Sequence, residues 1–350
     1  MRAILIEEYG ELPRVAEVPE PECPPDGAVV EVTATGVCRS DWHAWLGHDR
    51  DVRLPHVPGH EFAGVLVQLG EQVTGWVVGD RVTAPFVYAC GSCPACRTGQ
   101  QQVCRRQTQP GFTHWGSFAD RVVVHHADVN LVPVPDGIAD TAAAALGCRF
   151  ATAHRAVRHH GAVRAGDTVA VYGCGGLGLS AVMIAVAAGA TVIAVDPAPV
   201  AREAAVRFGA IAAVDPGRLG RAHEIAEQVR SLAGGDGVAV AVDAIGRPDV
   251  LAASVLSLGR RGRHVQAGLL LGEHAAPAVP MDRVIAWELQ LFGSHGMAAG
   301  DYPAMLAEIA DGSLDPTLLV GTVAPLTEAP TALAALGGRP DVAGLTVLVP

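Results

Sequence analysis

Charge is scarce in this chain of 350 residues: Asp, Glu, Lys and Arg make up 17% of it, and 25 basic residues face 36 acidic ones, for a net charge of −11. There is no basic block that could follow a phosphate backbone, so nucleic acid is not an expected partner. Residues 1–10 (MRAILIEEYG) lack the positive-then-apolar layout of a secretion signal and carry Glu7 and Glu8, so a cytoplasmic chain is expected. One run, 177–195, covers about a membrane thickness without a charge. Gly178 and Gly189 interrupt it, and a buried helix followed by a buried strand explains it better than a membrane span.

What the chain does have is apolar sequence, 50% of it, enough for one large core or two medium ones. Up to about residue 146, short β-type runs at 28–34, 63–69, 81–84 and 121–124 are broken by Pro and Gly. Past a breaker at 133–137 and an Ala-rich stretch, strands are predicted at 168–172, 191–195, 211–214, 238–243, 262–267 and 288–292, with helices between them. That alternation predicts an α/β domain with a parallel, doubly wound, six-stranded sheet. A tail with a predicted helix over 302–310 and a strand over 344–349 is short for a core of its own and is expected to pack back on the first domain. The expected division is 1–148, 149–292 and 293–350.

The strand ending at Tyr172 runs into Gly173-Cys174-Gly175-Gly176-Leu177-Gly178 and then an apolar helix, the G-x-G-x-x-G pattern in the setting that the motif requires. In such a loop Gly173 allows the tight turn, Gly175 lets the backbone approach a pyrophosphate, and Gly178 permits close helix packing, with the helix N-terminus facing the negative charge. Asp196 ends the next strand, where a carboxylate accepts hydrogen bonds from ribose hydroxyls and repels a 2′-phosphate, so NAD is expected over NADP. Arg202, shortly after, is the residue that could soften that preference.

Eight cysteines without a secretion signal point to metal or redox chemistry rather than a disulfide framework. Cys90, Cys93, Cys96 and Cys104 form C-x2-C-x2-C-x7-C, and four thiolates around one tetrahedral Zn²⁺ leave no position for substrate, so this zinc is expected to be structural. An iron–sulfur run of the bacterial type has a shorter last gap followed by Pro, whereas Arg105 follows Cys104 here.

Three further segments carry metal-ligand residues: Cys38-Arg39-Ser40-Asp41-Trp42-His43, Gly59-His60-Glu61 and Gly147-Cys148. Singly, each Cys or His is as well read as an ordinary buried side chain. Taken with the four-cysteine lobe and the Gly-rich loop, in this order and spacing, they make the chain resemble the zinc-containing medium-chain alcohol dehydrogenase family over nearly its whole length. The resemblance implies an N-terminal GroES-like β domain beside a Rossmann NAD-binding domain. It implies two Zn²⁺ per chain, the second a catalytic ion held by Cys38, His60 and Cys148 with a fourth position open to water or substrate. Glu61 is implied as an acidic neighbour that approaches the zinc during ligand exchange, and Asp41 as the carboxylate that orients His60.

The activity implied is hydride transfer between an alcohol and NAD, with zinc lowering the pKa of the alcohol. Ser40 takes the proton first, and a cofactor ribose hydroxyl passes it to His43 for release. By the same resemblance Arg39 pairs with the pyrophosphate, and Thr152 and Leu177 hold the nicotinamide ring. Gly344 stands where many relatives place a further basic contact. Phe86, Trp115 and Leu269, with Trp45 nearby, are expected to face the carbon side of the substrate, an apolar wall suited to primary or secondary alcohols and their aldehydes or ketones. A polyol or sugar dehydrogenase, or a lyase or isomerase holding NAD permanently, are the alternatives. A homo-oligomer is expected, a tetramer ahead of a dimer.

Overall fold

In one half of the chain Thr168–Tyr172, Thr191–Val195, Ala212–Val214, Val238–Asp243, Leu258–Gln266 and Gln290–Gly293 form a six-stranded sheet, in which the runs of Val, Ala and Ile at Thr168–Tyr172, Thr191–Val195 and Val238–Asp243 are the strands buried on both faces. In this computed structural model, which describes residues 1–338 and 341–350, every pairing in that sheet is parallel. Numbered along the chain within the sheet, the order is 3-2-1-4-5-6, the doubly wound arrangement. The strand expected over 288–292 begins instead at Gln290, because Glu288 (φ 49°) takes a left-handed conformation to close the helix Met281–Trp287. The strand expected over 262–267 starts earlier, at Leu258, and carries a register irregularity.

The uncharged run at 177–195 resolves into the helix Gly176–Ala187, a turn at Gly189 (φ 79°) and the strand Thr191–Val195. Among the described residues, no helix is long and apolar enough to cross a membrane.

The chain divides into two units: one built on Met1–Ala151 with later stretches beginning at Gly296 and Leu345, the other centred on Thr152–His295. The first unit holds a seven-stranded sheet in the order Val320–Pro325, Leu345–Val349, Ala28–Val37, Phe62–Leu69, Arg81–Thr83 and Val132–Pro133, with Arg121–Val124 paired to Ala28–Val37. Its core packs Phe62, Leu66, Val82, Tyr88, Val122 and Val124. Ala28–Val37 runs to the residue before Cys38 because its last positions, 35–37, pair with Leu345–Val349 from the far end of the chain. The sheet therefore delivers Cys38 at the end of one strand and His60 at the start of its neighbour.

Candidate active site

Cys38 caps the short helix Arg39–Trp45, and Asp41 at its third position reaches back so that one carboxylate oxygen accepts the Cys38 backbone N–H at 2.9 Å. The other oxygen accepts the Gly59 N–H at 3.0 Å and lies 2.9 Å from His60 Nδ1. Asp41 and His60 are both fully buried, so the ring is fixed with Nδ1 committed to the carboxylate. Burial opposes charge on His60, but the Asp41 carboxylate, with the Cys38 sulfur, lifts its basicity well above the ordinary imidazole value.

The other nitrogen, His60 Nε2, is buried with no hydrogen-bond partner, which a polar atom avoids unless something else takes its lone pair. Cys38, His60, Glu61 and Cys148 bring their ligand atoms within 4.8 Å of one another. The hydrogen bond with Cys148, then the charge of Arg149 and His60, hold the Cys38 thiol well below its ordinary range. An orphaned imidazole nitrogen facing two sulfurs fits Zn²⁺ by donor type, and three such ligands leave a fourth position open.

Glu61 is not free beside these ligands. The Arg149 guanidinium forms a buried ion pair with its carboxylate, the Arg149 backbone N–H donates to it at 2.8 Å, and a second guanidinium nitrogen donates to the Val37 carbonyl at 2.9 Å. The sequence reading did not single out Arg149, although its place directly after Cys148 was the available signal. Gly36 is required beside the pair, since a Cβ there would come within 2.6 Å of a Glu61 oxygen and 2.9 Å of an Arg149 nitrogen.

The four-cysteine lobe closes on itself. Its sulfurs stand 3.4 Å (Cys93–Cys96), 3.5 Å (Cys90–Cys104), 3.8 Å (Cys93–Cys104) and 4.0 Å (Cys90–Cys96) apart. Four sulfurs at ~2.3 Å from one tetrahedral ion lie about 3.8 Å from each other, so this cage fits a single zinc. Backbone N–H groups, with Arg106 beside Cys90, push the Cys90 thiol down to about 5 and the Cys93 thiol to about 7, whereas burial pushes the Cys96 thiol up to about 12, so a metal binding all four would have to displace the Cys96 proton.

In the second unit the three glycines differ in what surrounds them. Gly173 (φ 90°) makes the turn, a Cβ on Gly178 would lie 1.6 Å from the Gly173 carbonyl oxygen, and Gly175 has open space where its Cβ would be. Open space above the middle glycine, at the N-terminus of the helix Gly176–Ala187 that also holds Leu177, is the cradle a pyrophosphate would fill. Asp196 accepts the Cys174 and Ala198 N–H groups, each at 2.7 Å, while Arg202 donates to the Asp196 carbonyl and pairs with Asp215 at 3.3 Å.

Phe86 lies with its ring centroid 6.1 Å from that of His60, and Phe112, which the sequence reading missed, lies nearer at 5.2 Å. Two aromatic residues are placed elsewhere. Trp45 is in the core with Ile4, Ile6 and Leu333, its indole N–H given to the Glu11 carbonyl, because the apolar side of its helix faces that core. Trp115 donates to the Pro55 carbonyl at 3.2 Å and lines a cleft of about 340 Å³ with Met1, Pro19, Glu22 and His125. Leu269 is exposed in the second unit, and Thr152 is buried there. Ser40 and His43 lie on the helix that follows Cys38, and the Arg39 guanidinium sits 5.2 Å over the Trp42 ring.

Comparison with known proteins agrees with this geometry. Residues 24–136 match the family model of the alcohol dehydrogenase GroES-like domain, and residues 176–311 that of the zinc-binding dehydrogenases. An alcohol dehydrogenase of Geobacillus stearothermophilus is 38% identical over 232 residues, 65% of this chain and 68% of that one. A sorbitol dehydrogenase of Halalkalibacterium halodurans is 32% identical over 311 residues, 87% of each chain. The solved structure of an alcohol dehydrogenase from Thermus sp. ATN1 superposes with a TM-score of 0.90 at 31% identity, covering 100% of this chain and 99% of that one.

Proposed function

The chain belongs to the zinc-dependent medium-chain dehydrogenase family, and from that membership we propose that it oxidises a primary or secondary alcohol, or reduces the matching aldehyde or ketone, with NAD(H). The observation that carries the reading is the orphaned His60 Nε2 beside Cys38 and Cys148, with the Phe86 and Phe112 rings next to it. When bound, zinc would supply Lewis-acid polarisation of the substrate oxygen and NAD(H) the hydride chemistry.

The residues of the chain divide the remaining work. Cys38, His60 and Cys148 would hold the catalytic metal, and Asp41 keeps the His60 ring turned toward it. Glu61, tied to Arg149, stays beside the ligands as a fixed carboxylate. Ser40 takes the proton of the substrate hydroxyl and His43 hands it on toward solvent. The Gly173–Gly178 loop and Asp196 bind NAD, with Arg39, Thr152 and Leu177 as further cofactor contacts. Arg202 is occupied by Asp196 and Asp215, which supports NAD over NADP.

The aromatic rings beside His60 support an apolar alcohol. The sorbitol dehydrogenase relative supports a polyol as the second reading. All eight cysteines are free of disulfides, which suits a reducing, cytoplasmic setting. An edge strand at Gln290–Gly293 and the exposed Met281 and Ile285 in the same unit support a homo-oligomer, with a tetramer favoured.

Metal content per chain, measured together with NADH formation from hexanol, benzyl alcohol, sorbitol and threitol, tests the reading. Two zinc ions and a preference for hexanol or benzyl alcohol are expected. A preference for sorbitol moves the substrate to the second reading. Substrate consumption with no net NADH sinks the dehydrogenase assignment.

A further inference from the structure

The helix Arg39–Trp45 ends in a turn that places a second imidazole on the first. Gly47 (φ 74°) donates to the Ala44 carbonyl at 3.0 Å, and the His48 backbone N–H donates to the His43 carbonyl at 3.0 Å. These are the two bonds of a Schellman helix end, which brings the side chain after the glycine against the one five residues before it. Here that pair is His48 and His43, with ring centroids 5.3 Å apart and their Nδ1 atoms 3.0 Å apart. Trp42 stands edge-on to both rings, at 5.0 Å and 6.0 Å.

A contact between two Nδ1 atoms needs one N–H and one lone pair. The two rings therefore cannot both carry a proton at Nδ1, and the pair holds one added proton far more readily than two. His43 has only Nε2 left for any other partner. Burial, then the charges of His48 and Arg39, lower the basicity of His43, while the Cys38 sulfur opposes them. His48 is exposed, and Asp49 and Asp51 follow it in the chain. Burial and its positive neighbours thus disfavour charge on the first ring, while the second ring is open to water.

We propose that His48 is the exit of the proton path, the ring through which a proton arriving at His43 reaches water. The inference rests on the reading of His43 as proton carrier given above. In the resting pair His43 Nδ1–H donates to the Nδ1 lone pair of His48. When His43 Nε2 gains a proton, the Nδ1–H bond of His43 breaks, an Nδ1–H bond forms on His48, and His48 releases its Nε2 proton to water. One proton enters and one leaves, and no electrons are exchanged. The carbonyl-reducing direction runs the same steps backward, and successive oxidations reset the pair by tautomer exchange with water.

The test compares H48A, H48Q and H43Q in the zinc-loaded protein, following alcohol oxidation from pH 6 to pH 9 at low and high concentrations of sulfonate buffers that do not bind zinc, and following the two rings by nitrogen-15 NMR without substrate. For H48A a loss in kcat of about tenfold at low pH, with KM for NAD unchanged and the rate restored by high concentrations of a buffer that does not bind zinc, is expected. The His43 titration in H48A should move up, because a like charge is removed. Gln in H48Q can accept the His43 N–H but cannot pass a proton, so H48Q should remain slow in weak buffer. Full recovery in H48Q would reduce His48 to holding the ring and overturn the exit role. A wild-type pH profile in H48A, alongside a slow H43Q, would also overturn it while leaving the His43 reading intact. A wild-type profile in H43Q would instead remove the reading on which the inference stands.

Discussion

Arg149→Met removes the guanidinium that faces Glu61 and keeps an apolar stem of similar length. The Glu61 side chain has no exposed surface, and an unpaired carboxylate in such a place takes up a proton rather than stay charged. In the unfolded chain an ordinary glutamate titrates at 4.5, and holding it protonated above that value costs about 1.4 kcal/mol per pH unit, so the ceiling is about 3.4 kcal/mol at pH 7 and about 0.7 kcal/mol at pH 5. The lost bond to the Val37 carbonyl adds about 1 kcal/mol that does not vary with pH. In the variant the folded Glu61 titrates above its unfolded value. The folded state therefore binds more protons, and stability is lost as pH rises from the unfolded value toward the folded one. Burial already raises Glu61 in the parent against the pull of Arg149, so the gap between variant and parent approaches the ceiling from below. Urea unfolding at pH 5, 6 and 7 of the parent, Arg149→Met, Glu61→Gln and the double variant, each freed of zinc by a chelator so that no dication beside Glu61 holds its carboxylate ionised, reads this directly. The gap to the parent should widen with pH for Arg149→Met, whereas the gap between the double variant and Glu61→Gln, neither of which has a carboxyl at 61, should stay flat. A gap that is constant, or widest at pH 5, refutes the reasoning.

Four other variants have expected outcomes. Gly175→Ala should fold with an unchanged melting temperature, since nothing stands near its Cβ position, yet bind NAD at least about tenfold more weakly in titration calorimetry. Gly178→Ala, whose Cβ would meet the Gly173 carbonyl at 1.6 Å, should lose stability itself, and equal melting temperatures for the two variants would contradict the assigned roles. Asp41→Asn should weaken the catalytic zinc by about 10- to 100-fold in competition with a chromophoric chelator, leaving the other zinc in place; unchanged affinity would remove Asp41 from that role. Cys104→Ser should lower zinc from two ions to one per chain by mass spectrometry and open residues 90–104 to proteolysis, and a retained second ion would disprove the four-sulfur cage.

Much of the second unit was legible because its strands are buried on both faces: Thr168–Tyr172, Thr191–Val195 and Val238–Asp243 stand where the apolar runs placed them. Their neighbours moved where local conformation outweighed apolar pattern, as at Glu288. The full length of Ala28–Val37 was hidden, since its last residues are held by a strand more than 300 residues away. The four-cysteine cage could be read from spacing alone. The ion pair of Glu61 with Arg149 could not, because 88 residues separate the two and charge alone does not choose a partner. Aromatic wall positions were the least legible: Trp45 and Trp115 have indole N–H groups that found carbonyls of their own, and that choice depends on tertiary packing. The His43–His48 pair did have a local signal, a glycine directly before the second histidine at the end of a short helix.

The single carboxylate of Asp41 grips both ligand-bearing segments, through the Cys38 N–H on one side and the Gly59 N–H and His60 ring on the other. Cys38 and His60 thus behave like two fingers on one knuckle. A distant substitution that nudges either strand carries both along, so the site should translate as a block before the angle between these two ligands opens.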